Sequence, residues 1–133
     1  MAIQNRNINP SKWLEQFGFS HAVETTGHTR VLRCSGQTSV NANGEPQHEG
    51  NMAAQVTLAL DNLEGVLKEA GMSLSNVVQL NMYTTDMDRF FEGYMEITQR
   101  LGKAGVQPAS TLLGVARLAF PPLMIELEAT AVA

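Results

Sequence analysis

The chain of 133 residues has a single cysteine, and only 6% of its residues are aromatic. One cysteine excludes an internal disulfide framework and a cysteine-rich metal site. Charged residues make up 17% of the chain, which is too few for a disordered protein. The hydrophobic share of 44% is enough for a core. We therefore expect one domain over residues 1–133, in a reducing compartment.

Basic residues are also scarce, with nine against thirteen acidic residues and a net charge of −4. Because a phosphate-binding surface needs clustered basic side chains, nucleic acid is not expected as a partner. No apolar run approaches the roughly 20 residues of a membrane span. Residues 1–5 lack the apolar segment of a signal peptide. These absences predict a cytoplasmic protein with no membrane contact.

Hydrophobic periodicity predicts the element order β-β-α-β-α-β-β. Residues 1–18 are expected to be irregular, with Trp13, Leu14 and Phe17 as anchors onto the body, and residues 39–50 form a loop. The predicted strands are 19–26 and 29–38 around a turn at Gly27-His28, then 77–85, 110–118 and 123–132. The predicted helices run from Met52 to a cap at Gly71, and from Asp86 or Asp88 to Gly102.

Alternation in the predicted strands separates two faces of the sheet. Val78, Leu80 and Met82 should face the helices, which right-handed crossovers place on one side. The other face carries polar residues: Gln79, Asn81, Glu126 and Glu128. A half-polar sheet face in so small a chain favours oligomerisation.

Several short motifs, in this order and spacing, resemble the RidA/YjgF family over about residues 19–132. They are Ser35-Gly36-Gln37, Asn43-Gly44-Glu45, Met52-Ala53-Ala54-Gln55, Leu60-Asp61-Asn62-Leu63, Glu69-Ala70-Gly71, Thr85-Asp86-Met87, Gly114-Val115-Ala116-Arg117-Leu118 and Ile125-Glu126-Leu127-Glu128-Ala129. The resemblance implies an α+β, chorismate-mutase-like fold and a homotrimer with sites in its intersubunit clefts. It also implies hydrolysis of reactive enamines and imines, such as 2-aminoacrylate, to 2-keto acids and ammonia, without metal or organic cofactor.

The same resemblance implies a set of site residues. Glu126 matches the family glutamate that holds or activates water, and Gly36 matches the glycine whose backbone faces the substrate. Four positions depart from the pattern of active members: Phe19 replaces a tyrosine, Tyr94 an asparagine, Ser110 the arginine that clamps the substrate carboxylate, and Leu112 a cysteine. The scaffold is therefore expected with part of its substrate-binding apparatus replaced.

Each assignment has a plainer alternative. Most strand carboxylates have no chemical role, so Glu126 could be a solvated residue like Glu128. Ser110 could satisfy local backbone instead of a ligand. Arg33 could form an intersubunit ion pair or reach a ligand, whereas Arg117 belongs to a family motif and is not expected to replace the lost arginine. Cys34 is expected to be a buried small hydrophobe.

Three functions remain open at this point. The first is an enamine/imine deaminase, or a related hydrolase of C–N bonds, whose preference is shifted away from simple 2-imino acids. The second is a non-catalytic trimer that binds a small metabolite or a protein in the same clefts. The third is RNA cleavage, an activity attributed to some relatives, which the acidic charge disfavours.

Overall fold

The computed structural model describes residues 2–133. Its strands are β1 (Gln4–Ile8), β2 (Ala22–Thr26), β3 (Val31–Gln37), β4 (Val77–Thr84), β5 (Ala109–Gly114) and β6 (Ile125–Val132). Its α-helices are α1 (Met52–Glu69), α2 (Met87–Phe90) and α3 (Tyr94–Ala104), and two short 3-10 helices cover Glu15–Phe17 and Leu74–Asn76.

The main sheet has the strand order β3-β6-β4-β5, in which only β4 and β5 are parallel. Strands β1 and β2 pair antiparallel, and a bridge from Ser20 to Ala109 connects the start of β2 with β5. Helix α1 packs on β3 and β6, and α3 packs against α1. The core lies between these helices and one face of the sheet, which confirms the predicted mixed α+β architecture.

Helix α1 is the element that the sequence pattern defines best. Its apolar residues recur every three or four positions, and the whole stripe is buried: Met52, Val56, Leu60, Leu63 and Leu67. The side chain of Asn51 caps the first turn by accepting the Ala54 N–H at 3.1 Å. Gly71 follows the helix with a φ of 73°, a conformation that favours glycine.

Alternation in β4 and β6 places their polar residues on the face away from the helices. Ile125 and Leu127 are buried, whereas Glu128 is exposed and Glu126 is half-buried. The prediction that Val78 faces the core is wrong, because a register shift between Val77 and Gln79 buries Val77 instead.

The N-terminal segment differs from the prediction, since residues 4–8 form a strand instead of irregular chain. Four of the five residues in β1 are exposed, so hydrophobic alternation gives no sign of it. The turn at Gly27-His28 does connect β2 to β3, but the antiparallel partner of β2 is β1. The observed order therefore begins with three strands rather than two.

The second predicted helix is divided into α2 and α3. Asp86 caps α2 by accepting the Arg89 N–H at 3.1 Å, which matches one of its two predicted starts. The break falls before Gly93, where a Cβ would lie 2.6 Å from Val56 Cγ2 on α1. Glycine at this position thus lets the connection between α2 and α3 pass close to α1. In addition, β5 ends at Gly114, short of the predicted limit at 118.

Candidate functional site

Strands β3 and β6 bring Gly36 and Glu126 into direct contact. The β3–β6 pairing shifts register between Cys34 and Gln37, and the Glu126 side chain lies across Gly36. A Cβ at Gly36 would lie 2.5 Å from Glu126 Cδ and would overlap Oε1. Only glycine therefore allows the carboxylate to occupy this place, and the structure joins the two residues that the motifs singled out.

A cavity of about 250 Å³, here termed the Glu126 cavity, surrounds this contact. Besides Gly36 and Glu126 it is lined by Tyr83, Val115, Arg117, Leu118 and Glu128. Within residues 2–133 Arg117 has no carboxylate within 4.0 Å. Its position beside Glu126 was not predicted, because residues 115–124 lie in a connection without periodicity. The lining of the cavity thus includes the carboxylates of Glu126 and Glu128 and the guanidinium of Arg117.

Glu128, on the same face, is held by two hydrogen-bond donors. Tyr83 Oη donates to its Oε1 at 2.9 Å, and Asn81 Nδ2 donates to the same atom at 3.2 Å. The bond to Glu128 raises the pKa of Tyr83, and burial and the charges of Glu128 and Glu126 raise this pKa further. No donor of the described chain contacts the Glu126 carboxylate. Both donors use Oε1 of Glu128, so of the two strand carboxylates Glu126 is the one with both oxygens free of donors from the described chain.

The other four predicted site residues line a second cavity of about 270 Å³, here termed the Ser110 cavity. Phe19, Tyr94, Ser110 and Leu112 share it with Trp13, Leu14, Phe17, Met82 and Phe91. Phe17 ends the first 3-10 helix, and its ring centroid lies 6.3 Å from that of Trp13. Phe91 directly follows α2, and its ring centroid lies 5.7 Å from that of Tyr94. Trp13 and Phe17 were predicted only as anchors, and Phe91 was not among the predicted site residues.

Polar atoms are few in the Ser110 cavity. Ser110 Oγ is buried and has no hydrogen-bond partner in the described chain. The Tyr94 hydroxyl donates to the Phe17 carbonyl, and burial raises the pKa of Tyr94. Tyr94 therefore offers a ligand its ring rather than its hydroxyl, and Ser110 provides the free polar atom.

The two cavities lie on opposite faces of the main sheet. Ser110 and Leu112 pair with Leu80 and Met82 of β4, whose side chains are buried under the helices. Glu126 pairs with Tyr83, which points to the other face. Because neighbouring residues in register share a face, one chain does not unite all six predicted site residues.

Cys34 and Arg33 line neither the Glu126 cavity nor the Ser110 cavity. Cys34 is buried, and desolvation raises its pKa, so it fits the predicted hydrophobic role and not that of a nucleophile. Arg33 lines a polar cavity of about 260 Å³ with Asn81 and Glu128, and it makes no ion pair within residues 2–133. An intersubunit partner for Arg33 stays a prediction.

Comparison with known proteins agrees with the fold and the motifs. The family model described as Endoribonuclease L-PSP matches residues 14–133. A RutC family protein of Aquifex aeolicus is 33% identical over 115 residues, which are 86% of each chain. The crystal structure of YyfB from Yersinia pestis, a protein of unknown function in the Rid family, has 37% identity and a TM-score of 0.85, and the match covers 97% of this chain and 98% of YyfB.

A further relative is the mitochondrial protein mmf1 of Schizosaccharomyces pombe, which is 40% identical over 83 residues. The match spans 62% of this chain and about half, 48%, of mmf1. Among residues 2–133, no helix is both long and apolar enough to cross a membrane. The cytoplasmic location of this chain stays a prediction.

The α+β fold and the matched family model define a protein of the endoribonuclease L-PSP family. The chain belongs to this family, whose RutC and Rid relatives confirm the RidA/YjgF membership that the motifs indicated.

Proposed function

We propose that the chain hydrolyses a small reactive imine or enamine to a carbonyl compound and ammonia. The observation that carries this proposal is the Glu126 carboxylate, which lies against Gly36 in a cavity and has no donor of the described chain on it. A carboxylate in this state can bind water and exchange protons with it. Glu128 shows the contrast, since two donors already hold it.

The reaction needs only water and one residue that transfers protons. Glu126 accepts a proton from water while the water oxygen bonds to the imine carbon, and the π electrons move to nitrogen, which takes this proton from Glu126. The resulting carbinolamine then gives its hydroxyl proton to Glu126, which passes it to the amino nitrogen. The C–N bond breaks, its electrons stay on nitrogen, and ammonia leaves as the carbonyl forms. An enamine is first protonated on carbon to give the imine. Glu126 ends in its starting state, so no cofactor enters the balance.

We further propose that the complete site is formed between copies. The Glu126 cavity and the Ser110 cavity lie on opposite faces of one sheet, so a substrate can reach both only if they belong to different chains. A ring of three copies brings unlike surfaces together in a head-to-tail manner and repeats the site three times. This arrangement matches the homotrimer that the family resemblance implies.

The replacement of the family arginine by Ser110 shifts the expected substrate. A hydrogen bond to a charged group exceeds a neutral one by roughly 1 to 2 kcal/mol, which is about 5- to 30-fold in affinity. One serine hydroxyl cannot replace a bidentate guanidinium on a carboxylate. Simple 2-imino acids such as that from 2-aminoacrylate should therefore be poor substrates.

The test is ammonia release from a panel of imines generated by amino-acid oxidases, with wild type and Glu126→Gln. The amide keeps the shape of the side chain but cannot take a proton, so activity should fall to the buffer level. Glu24→Gln is the matched control, because Glu24 forms only an exposed ion pair with Arg6. Unchanged turnover in an intact Glu126→Gln assembly would refute the role of Glu126. No release from any imine would favour the non-catalytic alternative, a trimer that binds a small metabolite or a protein.

A further inference from the structure

The Ser110 cavity has an aromatic wall and one unpartnered polar atom. Of its lining residues Phe19 is buried, whereas Trp13 and Phe91 have 56% and 55% of their surface exposed. Among residues 2–133, no lysine, arginine or histidine lines it, nor does any carboxylate. The chemistry of this cavity therefore differs from that of the Glu126 cavity, where three ionisable residues besides Tyr83 meet.

We infer that the Ser110 cavity binds a neutral, ring-sized apolar group that carries one hydrogen-bonding atom. Where it concerns catalysis, this inference rests on the proposed function. It then names the substrate class as imines or enamines that carry such a group at the end away from the C=N bond.

The size of the cavity supports a single ring. Its volume of about 270 Å³ lies below the roughly 300 Å³ at which pockets for drug-sized ligands begin. Flat rings pack well against aromatic side chains in edge-to-face or offset geometry. The Phe91 and Tyr94 rings already meet at 65°, so the wall offers both a face and an edge.

The polar requirement comes from Ser110. A buried polar atom without a hydrogen-bond partner is destabilising, and native structures contain few of them. The Ser110 Oγ in the described chain is such an atom, and it belongs to a residue that lines the cavity. A ligand hydroxyl or carbonyl that pairs with Oγ removes this penalty. A ligand carboxylate would lose its water and find one neutral donor in exchange.

Trp13 makes the inference directly testable. It is the only tryptophan of the chain and it lines the Ser110 cavity, so its fluorescence reports occupancy. Three probes with the same ring separate the requirements: benzyl alcohol, toluene and benzoate. We expect a saturable change with benzyl alcohol, weaker binding of toluene, and binding of benzoate at least about tenfold weaker than that of the alcohol.

A variant isolates the hydrogen bond. Ser110→Ala should weaken the binding of benzyl alcohol by about 2- to 12-fold, which is the effect of one neutral hydrogen bond. The affinity for toluene should not change. Thr111→Ala is the matched control, because Thr111 is the exposed neighbour on β5 and lies on the opposite face. Leu112→Trp should fill the cavity and abolish binding of both probes. Ser110→Arg should reverse the preference toward benzoate and raise the hydrolysis of 2-imino acids.

The inference fails if benzyl alcohol gives no saturable change, if benzoate binds as well as the alcohol, or if Ser110→Ala weakens toluene and alcohol equally. Fast wild-type hydrolysis of simple 2-imino acids would also overturn it, and would point to another cation, such as Arg33 or Arg117, on the carboxylate. Ring binding without ammonia release would refute the proposed deaminase alone. Ammonia release without ring binding would refute the ligand class alone.

Discussion

At the scale of single residues, the absence of a side chain at Gly36 positions the Glu126 carboxylate. In Gly36→Ala the new Cβ would collide with Glu126 Cδ at 2.5 Å, so the carboxylate must rotate away. The colliding atoms end a flexible side chain, so we expect less than about 1 kcal/mol of change in the free energy of unfolding. Because misplaced catalytic groups are costly, ammonia release should fall about 10- to 100-fold.

Gly65→Ala is the control for this prediction, since nothing lies within 4 Å of a Cβ at that position on α1. Urea unfolding and steady-state ammonia release measured on both variants decide the matter. Equal activity of the two variants would show that the Gly36 contact does not position the catalytic carboxylate.

A second residue-scale prediction concerns pH. The chain has two tyrosines, and both have raised pKa values. The hydrogen bond to Glu128 is the largest cause for the pKa of Tyr83, and burial raises the pKa of Tyr94. The phenolate absorbance of the folded chain should therefore rise at higher pH than that of the urea-unfolded chain, which titrates near about 10. A folded pKa above the unfolded one means that this stability is complete below about pH 10 and is lost as the pH rises through the folded pKa.

Single variants assign the two titrations. In Tyr83→Phe the phenolate signal left is that of Tyr94, and in Tyr94→Phe it is that of Tyr83. If the phenolate absorbance of the folded chain appears at the same pH as that of the unfolded chain, this would contradict the hydrogen bond from Tyr83 to Glu128 and the burial of Tyr94.

The identities of the candidate residues could be predicted from sequence, but their distribution between two cavities could not. The motifs indicated Gly36 and Glu126, and the structure joins them. Glu128 Oε1 accepts hydrogen bonds from Tyr83 and Asn81 on the neighbouring strand β4. Both donors lie more than forty positions away in the sequence. Such pairs depend on strand register, which a single sequence does not define.

At the scale of elements, hydrophobic periodicity predicts the helices and strands that bury one face, and it misses those that are exposed. Helix α1 and strand β6 carry clear stripes, and both predictions are confirmed. Strand β1 carries no stripe because its residues are exposed, and it exists through backbone pairing with β2. At the break between α2 and α3, Gly93 lies close to Val56 on α1, and this contact between distant residues lies outside the local pattern.

Gln55 gives a prediction at this scale, since it joins α1 to the chain that enters β6. It is fully buried; its Nε2 donates to the carbonyls of Pro122 at 2.8 Å and His48 at 3.2 Å, and its Oε1 accepts the Met124 N–H at 2.8 Å. Gln55→Met keeps the volume but removes all three bonds. The Pro122 carbonyl and the Met124 N–H then lose these partners, whereas the His48 carbonyl still accepts the Asn51 N–H. We expect a loss of about 3 kcal/mol in the free energy of unfolding, measured in urea.

Gln99→Met on the exposed side of α3 is the control, and it should change stability by less than about 0.5 kcal/mol. Because Met124 lies two residues before Glu126, the Gln55 variant should also reduce ammonia release when assayed well below its unfolding midpoint. A loss in stability no larger than that of the control would contradict the role assigned to the three hydrogen bonds.

At the scale of the whole molecule, the sheet face away from the helices carries charge and polar groups that one chain leaves partly unpaired. Arg33 and Arg117 lack ion-pair partners within residues 2–133, and Glu128 lines the cavities of both. Three large apolar residues of the chain are also about half exposed: Val31, Leu113 and Phe120. Of these, Leu113 pairs with Tyr83 and so belongs to this face. Composition alone could indicate that this face needs cover, whereas the geometry of the cover requires the assembly.

We predict that the chain forms a trimer in solution, and the molecular mass of the assembly tests this. Light scattering at micromolar concentration should give three times the 14.5 kDa of one chain, because a closed ring of three pairs unlike surfaces. A stable mass of one chain would remove the basis for a site between copies. The proposed site also requires a particular arrangement of the chains, because each complete site needs Glu126 from one chain and the Ser110 cavity from its neighbour.

Two inactive variants should therefore restore activity when their chains are mixed within one trimer. Glu126→Gln lacks the carboxylate but keeps the Ser110 cavity, and Leu112→Trp blocks that cavity but keeps the carboxylate. Unfolding equal amounts together and refolding them randomises the chains, and about one quarter of the interfaces then join two intact halves. Ammonia release should recover to about a quarter of the wild-type value, whereas each variant refolded alone, the control, stays inactive. If the mixture remains as inactive as its components although light scattering shows intact trimers, Glu126 and the Ser110 cavity do not serve one substrate across the interface.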